Sequence, residues 1–262
     1  MKHPSHTPAG PDFVGIGVQK SGTTWVADML SQHPQIFLPK KEISFFVQNF
    51  HRGYAWYNRI FEQKGQRRAG ELTVSYMITP RSSPVRKEFY PKWNPRRKIF
   101  FWRKQPPARD ALKANYPGVK IFAVFRNPVD RTWSHYWYWR SRKEHLNKNV
   151  VQFEKMFADD GRWIHTYSRY ADLLRYWRQA FPDMGVFFYD DLRQEPEAFL
   201  YELFRFLDID PDFKPRLNQE VNKGDYEAMP EHIRKLLVRA YREQIEEFAR
   251  QTGRDLSHWI QG

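Results

Sequence analysis

Apolar residues along this chain form short dense runs that alternate with longer stretches of helical spacing. The dense runs, bordered by glycine, proline or polar residues, predict strands at residues 13–18, 36–38, 120–125 and 185–189. Helical spacing, or a proline at a first turn, predicts helices at residues 25–33, 128–142, 170–180, 197–207 and 231–252. Strands that alternate with helices predict an α/β fold, in which a central parallel β-sheet is flanked by helices.

Length and composition fit one domain. The chain has 262 residues, of which 41% are hydrophobic, enough for a sizeable core over residues 13–262. Residues 1–12 lack the apolar core of a secretory signal and are expected to form a flexible leader. The longest apolar runs have about five residues, far short of the roughly 20 that a membrane span needs. The sequence therefore predicts no membrane span and a cytoplasmic location.

Basic residues exceed acidic ones, and the excess is concentrated in one stretch. The chain has 43 Lys and Arg against 30 Asp and Glu, a formal charge of +13. Residues 81–120 contain 12 basic residues and only two acids, Glu88 and Asp110. Such a charge favours an anionic partner, either a nucleic acid, a polyanionic glycan or a phosphorylated cofactor. A solvated basic face explains the same charge equally well.

Residues 13–25 predict a strand, a glycine-bearing turn and a helix, which is a P-loop-like arrangement. Backbone N–H groups at such a helix N-terminus favour an anion, and phosphate is the natural ligand. The turn is not a Walker A loop, because Lys20 precedes Ser21 and Gly22. Lys20 would neutralise the charge on a leaving phosphate. The hydroxyl and amide groups of Ser21, Thr23 and Thr24 would hold the phosphate oxygens. Trp25 either stacks on a base or packs in the core.

A second set of polar residues follows the predicted strand at 120–125. Arg126 ends that strand, and Ser134 lies two helical turns into the next element. The carboxyl ends of parallel strands are where open α/β sheets bind ligands. Arg126 and Ser134 are therefore expected to converge on a second phosphate. The alternative is that Arg126 forms an ion pair with Asp130.

These two segments resemble motifs of one enzyme family. The sequence Gln-Lys-Ser-Gly-Thr-Thr-Trp at 19–25 resembles the 5′-phosphosulfate loop of sulfotransferases that use 3′-phosphoadenosine 5′-phosphosulfate (PAPS). The segment from Arg126 to Tyr136 resembles their 3′-phosphate motif, and Lys223-Gly224 resembles their nucleotide-closing loop. The motifs stand in the family's order, about 100 residues apart. The resemblance covers residues 13–259 and is patchy between 92 and 117.

The resemblance implies a role for each matching residue. Lys20 would bind the 5′ end of PAPS and stabilise charge on the bridging oxygen as sulfur leaves it. The other donor ligands it implies are Ser21, Gly22, Thr23 and Thr24 at the 5′-phosphate, Trp25 at the adenine, and Arg126, Ser134, Lys223 and Gly224 at the 3′-phosphate. The reaction would be an in-line displacement at sulfur, with 3′,5′-adenosine bisphosphate (PAP) as the product. It requires no metal.

The resemblance also suggests the catalytic base. No histidine stands between His51 and His135, the stretch where cytosolic sulfotransferases have theirs. Glu42 instead resembles the glutamate of the heparan-sulfate and tyrosylprotein branches, so Lys20, Glu42 and Ser134 are the expected catalytic residues. Phe45 and Phe46 are expected to shield the Glu42 carboxylate from water. The alternative is that Glu42 is a surface partner of Lys40 or Lys41.

Other segments bear on the acceptor. Glu71 resembles a second glutamate of the glycan-acting branch, where a catalytic lysine often follows, but Leu72 follows here. Glu71 would orient the site, act as an alternative base or form a structural ion pair. Residues 92–117 suggest a basic insertion near the acceptor, whose charge would suit an acidic glycan. The aromatic cluster at 133–139 would either line the acceptor cleft or pack in the core.

Three functions remain open at this level. A PAPS-dependent sulfotransferase would act on a hydroxyl or amine of a carbohydrate, a glycosylated metabolite or another small metabolite. A P-loop nucleotide kinase would need a Walker lysine and a magnesium-binding acid, and neither is evident. A basic polyanion-binding module without catalysis would show affinity that collapses with salt and does not depend on PAPS. No specific nucleic acid is expected as a partner.

Overall fold

The computed structural model describes residues 10–39, 41–78, 106–145, 152–159, 165–217 and 227–261. Its strands are β1 Phe13–Gly17, β2 Ile36–Phe37, β3 Arg68–Leu72, β4 Lys120–Phe125 and β5 Gly185–Phe188. Its α-helices are α1 Thr23–Gln32, α2 Gly53–Arg59, α3 Ala108–Asn115, α4 Pro128–His145, α5 Phe153–Asp159, α6 Tyr170–Arg178, α7 Tyr189–Gln194, α8 Pro196–Phe206 and α9 Glu231–Thr252. A π-helical turn spans Phe45–Asn49, and 3₁₀ turns span Phe50–Arg52, Glu62–Lys64, Val74–Tyr76 and Ser257–Trp259.

The five strands form one sheet in the order β2-β3-β1-β4-β5, and every pairing is parallel. The central strand is β1, where Val14 lies opposite Glu71 of β3 and Ile121 of β4. All five residues of β1 are buried, as expected of a strand that is covered on both faces. The predicted α/β fold with a central parallel sheet flanked by helices is confirmed.

Alternate strand residues enter two separate apolar layers. One layer packs α1 and α8 against the sheet through Phe13, Phe122, Val124, Val26, Leu30, Leu203 and Phe204. The other packs α6 and α9 against the opposite face through Val14, Ile121, Phe125, Leu174, Trp177, Leu237 and Phe248. Burying one large apolar side chain contributes about 1.5–3 kcal/mol, so the two layers make the sheet a rigid support for the loops at its ends.

Two local elements differ from those that the sequence pattern predicts. The strand β3 is not predicted by the apolar pattern, because Arg68, Gly70 and Glu71 interrupt it, and after Leu72 the chain passes into the 3₁₀ turn at Val74–Tyr76. The run at 185–189 ends one residue early, because Tyr189 begins α7. Asp190 and Asp191 stand in the first turn of this short helix, where carboxylates interact favourably with the helix dipole.

Candidate active site

The loops that follow β1 and β4 meet at the carboxyl end of the sheet. From β1 the chain crosses to the β2–β3 side, and β4 lies on the opposite side of β1, so a crevice opens between these two strand ends. The Arg126 guanidinium donates a hydrogen bond to the backbone carbonyl of Lys20, at 3.1 Å between Nη1 and O. The two segments, about 100 residues apart in sequence, are thus in direct contact.

The alternative of an ion pair between Arg126 and Asp130 is wrong. Asp130 instead accepts a hydrogen bond from Arg234 of α9, at 3.3 Å. The Arg126 guanidinium lies over the ring of Tyr189, 4.8 Å from its centroid. Arg126 therefore keeps its charge available for an anion in the crevice.

The turn before α1 leaves the N-terminus of that helix open. Gly22 occupies the N-cap position with a φ of 78° and provides no side-chain cap. A β-carbon at Gly22 would lie 3.1 Å from the ring of Tyr189, so both the positive φ and the close packing require glycine here. Because the first N–H groups of a helix have no partner within it, those of α1 can bind an external acceptor.

Ser21 gives independent evidence that this loop binds a ligand. The side chain is fully buried, yet its Oγ has no hydrogen-bond partner among the described residues. The Oε1 of Gln19 is in the same situation. A buried polar group without a partner costs about 1–3 kcal/mol, a cost that an oxyanion accepting the Ser21 hydroxyl would remove. The loop thus fits a phosphate or sulfate group.

Positive charges concentrate around the loop. Burial lowers the pKa of the Lys20 ammonium, and the nearby charges of Arg126 and Lys41 lower this pKa further. Burial also lowers the pKa of Lys41, an effect that Glu42 partly opposes. Within the described ranges, none of these three cations forms an ion pair with a carboxylate. An anionic ligand would supply the missing counter-charge.

The helix that carries Ser134 is fixed at its N-terminus and along its length. The Asn127 side chain caps α4 by accepting the Val129 N–H at 2.9 Å, and Pro128 occupies the first turn, where it needs no N–H partner. Farther along, fully buried Arg131 donates hydrogen bonds to the Ser168 hydroxyl. These contacts hold Ser134, which is buried, at a fixed position one turn after Asp130.

Tyr138 shows which face of α4 meets the loop. Its ring lies 4.8 Å from the Lys20 Nζ, and 41% of the residue is exposed. Ser134 is one helical turn earlier on the same face, which directs it toward the same crevice. The aromatic cluster at 133–139 is therefore divided, since Trp133 and Tyr136 are buried in the core whereas Tyr138 borders the site.

Glu42 lies on a segment whose backbone is held by β3. Its N–H donates to the Leu72 carbonyl at 2.9 Å, and the Ser44 N–H donates to the Thr73 hydroxyl at 3.2 Å. Glu42 and Ser44 both have left-handed φ values, of 60° and 55°, which non-glycine residues rarely adopt. Such strain persists only where surrounding contacts determine the backbone, and it is frequent at active sites.

The side chain of Glu42 is exposed. Phe45 and Phe46, which were expected to shield it, are buried and pack against Tyr57 instead. The expected shielding by these rings is therefore wrong. The carboxylate opens toward solvent, where an acceptor would approach.

Glu71 fixes the segment at residues 42–44 through its buried carboxylate. Its fully buried carboxylate accepts hydrogen bonds from the hydroxyls of Tyr57 (2.6 Å), Tyr76 (3.0 Å) and Thr73, and from the Ile43 N–H (3.1 Å). Burial raises the pKa of Glu71, while these four hydrogen bonds act in the opposite direction. The alternative of a structural ion pair is wrong, because the described partners are neutral hydroxyls and one amide. This geometry favours an orienting role.

Other predicted residues lie at the edge of the crevice or beyond the described chain. Thr23 is buried at the start of α1, and the Thr24 hydroxyl accepts a hydrogen bond from Lys41. Trp25 is half-buried and meets Phe199 edge to face at 6.3 Å, so at least one edge packs against the core. Lys223 and Gly224, Lys40 and most of the 92–117 stretch lie outside the described residues.

A family model of the sulfotransferase domain matches residues 10–255. The chain belongs to the sulfotransferase family. This match confirms the family predicted from the segments at 19–25 and 126–136, a family of enzymes that use PAPS. It does not favour the nucleotide kinase or the non-catalytic polyanion-binding module that the charge alone left open.

Several relatives of this sulfotransferase are known. It is 25% identical to a membrane-associated sulfotransferase, kil1, of Dictyostelium discoideum, over 94% of this chain and 66% of that protein. It is 28% identical to human heparan sulfate glucosamine 3-O-sulfotransferase 5, over 77% of this chain and 54% of that protein. It is also 28% identical to the Drosophila melanogaster bifunctional heparan sulfate N-deacetylase/N-sulfotransferase, over 87% of this chain and 22% of that protein. The chain thus spans between about a fifth and two thirds of these relatives' lengths.

A solved structure supports the fold of this sulfotransferase. A sulfotransferase from Alicyclobacillus acidocaldarius superposes with a TM-score of 0.74 at 23% identity, over 97% of this chain and 100% of that one. In the part of the chain that the structure describes, no helix is both long enough and apolar enough to cross a membrane.

Two residues of the sulfotransferase site escaped sequence reasoning as site residues. Lys41 contacts Thr24, and Tyr189 packs against both Gly22 and Arg126. Tyr189 follows β5, and the carboxyl end of a parallel strand was the available signal for it. Lys41 had a signal too, because it adjoins the expected base, but it was considered only as a partner of Glu42.

Proposed function

We propose that this chain transfers a sulfuryl group from PAPS to a hydroxyl or amine of an acceptor. The observation that carries the proposal is the buried Ser21 hydroxyl, without a partner among the described residues, in a loop bordered by Lys20 and Arg126. A donor with phosphates at both its 5′ and 3′ ends needs two adjoining anion sites. The contact between Arg126 and the Lys20 carbonyl supports two such sites side by side.

We assign the 5′ end of PAPS to the loop before α1. Ser21, Gly22, Thr23 and Thr24 would hold the 5′-phosphate through hydroxyl and amide hydrogens, and Lys20 would bind the bridging oxygen. Arg126 and Ser134 would hold the 3′-phosphate, together with Lys223 and Gly224 from outside the described residues. The half-buried face of Trp25 would contact the adenine. No metal takes part in these roles.

The reaction follows from these positions. The acceptor oxygen or nitrogen attacks sulfur, the bond from sulfur to the bridging oxygen breaks, and its electron pair stays on the phosphate of PAP. Lys20 stabilises the charge that develops on that oxygen. Glu42 takes the proton of the acceptor. Catalysis therefore consists mainly of positioning and of charge stabilisation in the transition state.

The exposed side chain on a fixed backbone supports Glu42 as the base. A general base must reach the proton of an acceptor that arrives from solvent, and Glu42 is exposed beside the donor loop. Glu71 has no exposure and already accepts four hydrogen bonds, which supports a role in orienting the Glu42 segment. Glu71 would thus affect the acceptor through Glu42 and not by direct contact.

We infer that the acceptor is a carbohydrate or a glycosylated small metabolite. The human and Drosophila relatives are heparan sulfate sulfotransferases by name, which supports a sugar. The basic stretch at 81–120 would suit an acidic glycan. Leu72, which is buried where the glycan-acting branch often has a lysine, argues against a strictly heparan-like acceptor. The cytoplasmic location stays a prediction.

The acceptor class is tested by incubating the chain with sulfur-labelled PAPS and a panel of extracted glycans, lipids and small metabolites. We expect label in the carbohydrate or glycosylated fraction, with one PAP formed for each sulfate transferred. A parallel reaction with ATP labelled at its γ-phosphate and Mg²⁺ tests the kinase alternative. Label from ATP and none from PAPS would refute the proposed donor, and label only in lipids would refute the proposed acceptor.

A further inference from the structure

Lys41 stands beside the expected base and reaches the donor loop. The residue after it is fixed, because the Glu42 N–H donates to the Leu72 carbonyl at 2.9 Å. From this anchored position, the Lys41 ammonium donates a hydrogen bond to the Thr24 hydroxyl in the first turn of α1. Lys41 thus connects the segment that carries the base to the helix N-terminus that is expected to bind phosphate.

Burial disfavours the charge of Lys41 and lowers its pKa, and the nearby Glu42 carboxylate opposes this effect only in part. The Lys41 side chain is half-buried, and within the described residues it has no ion pair with a carboxylate, not even with the adjacent Glu42. It is close enough to Lys20 to lower the pKa of that ammonium. A lysine has a flexible four-carbon stem and can usually place its charge in water. Two partly buried ammonium groups side by side therefore indicate a shared anionic ligand.

The Thr24 hydroxyl indicates where that ligand lies. Thr24 is in the first turn of α1, whose N-cap Gly22 leaves the helix N–H groups without a side-chain cap. A hydroxyl that accepts from Lys41 can donate its own hydrogen to a phosphate oxygen. The ammonium, the hydroxyl and the helix N-terminus together form a corner that is complementary to an oxyanion with more than one negative charge.

We propose that Lys41 is a second cationic ligand, together with Lys20, of the 5′-phosphosulfate group of the donor, and that it makes no contact with the 3′-phosphate. This role rests on the proposed function, because it requires PAPS as the donor. Different residues would then bind the two ends of the nucleotide. Lys41 acts with Thr24 on the 5′ group, whereas Arg126 acts on the 3′-phosphate.

The experiment compares three nucleotides by calorimetric titration of the full chain. They are PAP, adenosine 5′-phosphosulfate, which lacks the 3′-phosphate, and adenosine 3′-monophosphate, which lacks the 5′ group. For Lys41→Met we expect affinity for PAP and adenosine 5′-phosphosulfate to fall about 10- to 100-fold, the effect of losing one charged hydrogen bond. Affinity for adenosine 3′-monophosphate should not change. Lys41→Arg should recover part of the loss.

Lys235→Met is the matched control, since Lys235 is exposed on α9 and pairs with Glu231 one turn earlier. It should bind all three nucleotides like the wild type. Unchanged affinity of Lys41→Met for PAP, or an equal loss for adenosine 3′-monophosphate, would overturn the role of Lys41 while leaving the donor intact. A wild type that binds neither PAP nor adenosine 5′-phosphosulfate would refute the proposed function, and this role with it.

Discussion

Replacing Lys20 with methionine should lower kcat for sulfuryl transfer by about 10²- to 10³-fold, the usual effect of losing one group that stabilises transition-state charge. The ammonium is the group assigned to the bridging oxygen, on which charge appears as sulfur departs. Methionine has nearly the length of lysine and carries no charge. Initial rates with PAPS and an accepted acceptor, at saturating concentrations of both, measure the effect.

The stability of the Lys20→Met chain provides the control. Lys20 is partly buried beside Arg126 and Lys41, which lower its pKa, so its charge destabilises the ligand-free fold. The strain of the positive φ of 69° is the same in both chains, because lysine and methionine both carry a β-carbon. The urea midpoint of the variant should therefore equal or exceed that of the wild type. Full turnover in this folded variant would contradict the role of Lys20, and a lower midpoint would contradict the electrostatic argument.

Glu42→Gln should keep the binding of PAP and lose about 10²- to 10⁴-fold of turnover, the range that a general base contributes. Glutamine has nearly the shape of glutamate, so the strained segment at 42–44 should keep its conformation. It cannot take the acceptor's proton. Calorimetry with PAP and initial rates on the same protein separate the two effects.

Glu202→Gln serves as the matched control, because Glu202 is an exposed glutamate of α8 that pairs with Arg205 on the same helix. Its rate should equal that of the wild type. If Glu42→Gln keeps full turnover, the base must be sought at Glu71 or His135. Both are poorer candidates, since Glu71 is fully buried and burial beside Arg131 and Lys20 holds the pKa of His135 well below its usual range.

Four of the five strands could be predicted because they are read from continuous apolar runs, whereas β3 contains Arg68, Gly70 and Glu71 and has no such run. Residues 120–125 were predicted as a central strand, and β4 has those bounds, with Ile121 and Phe122 facing opposite apolar layers. The short helix α7 could not be predicted in this way. It begins inside the apolar run at Tyr189, and only its acidic first turn distinguishes it from a longer strand.

The site could be predicted where a sequence motif fixes the backbone. It could be predicted less well where the position of a side chain depends on tertiary contacts. The turn at Gly22 and the end of β4 at Arg126 follow from strand, glycine and helix order, and the structure brings these residues together. Whether Phe45 and Phe46 shield Glu42 depends on φ values of +60° and +55° at residues 42 and 44. No local pattern predicts such values, because they are imposed by tertiary hydrogen bonds that the N–H groups of residues 42–44 donate to Leu72, Glu71 and Thr73.

The central claim is that the loop around Lys20 binds a nucleotide with phosphates at both ends. Urea unfolding with PAP, at a concentration 100-fold above its dissociation constant, tests this claim most directly. The free energy of unfolding should rise by about 2.7 kcal/mol, as expected for a ligand that binds only the native state. ATP with Mg²⁺ should leave it unchanged. No rise with PAP, together with a rise with ATP and Mg²⁺, would contradict the account.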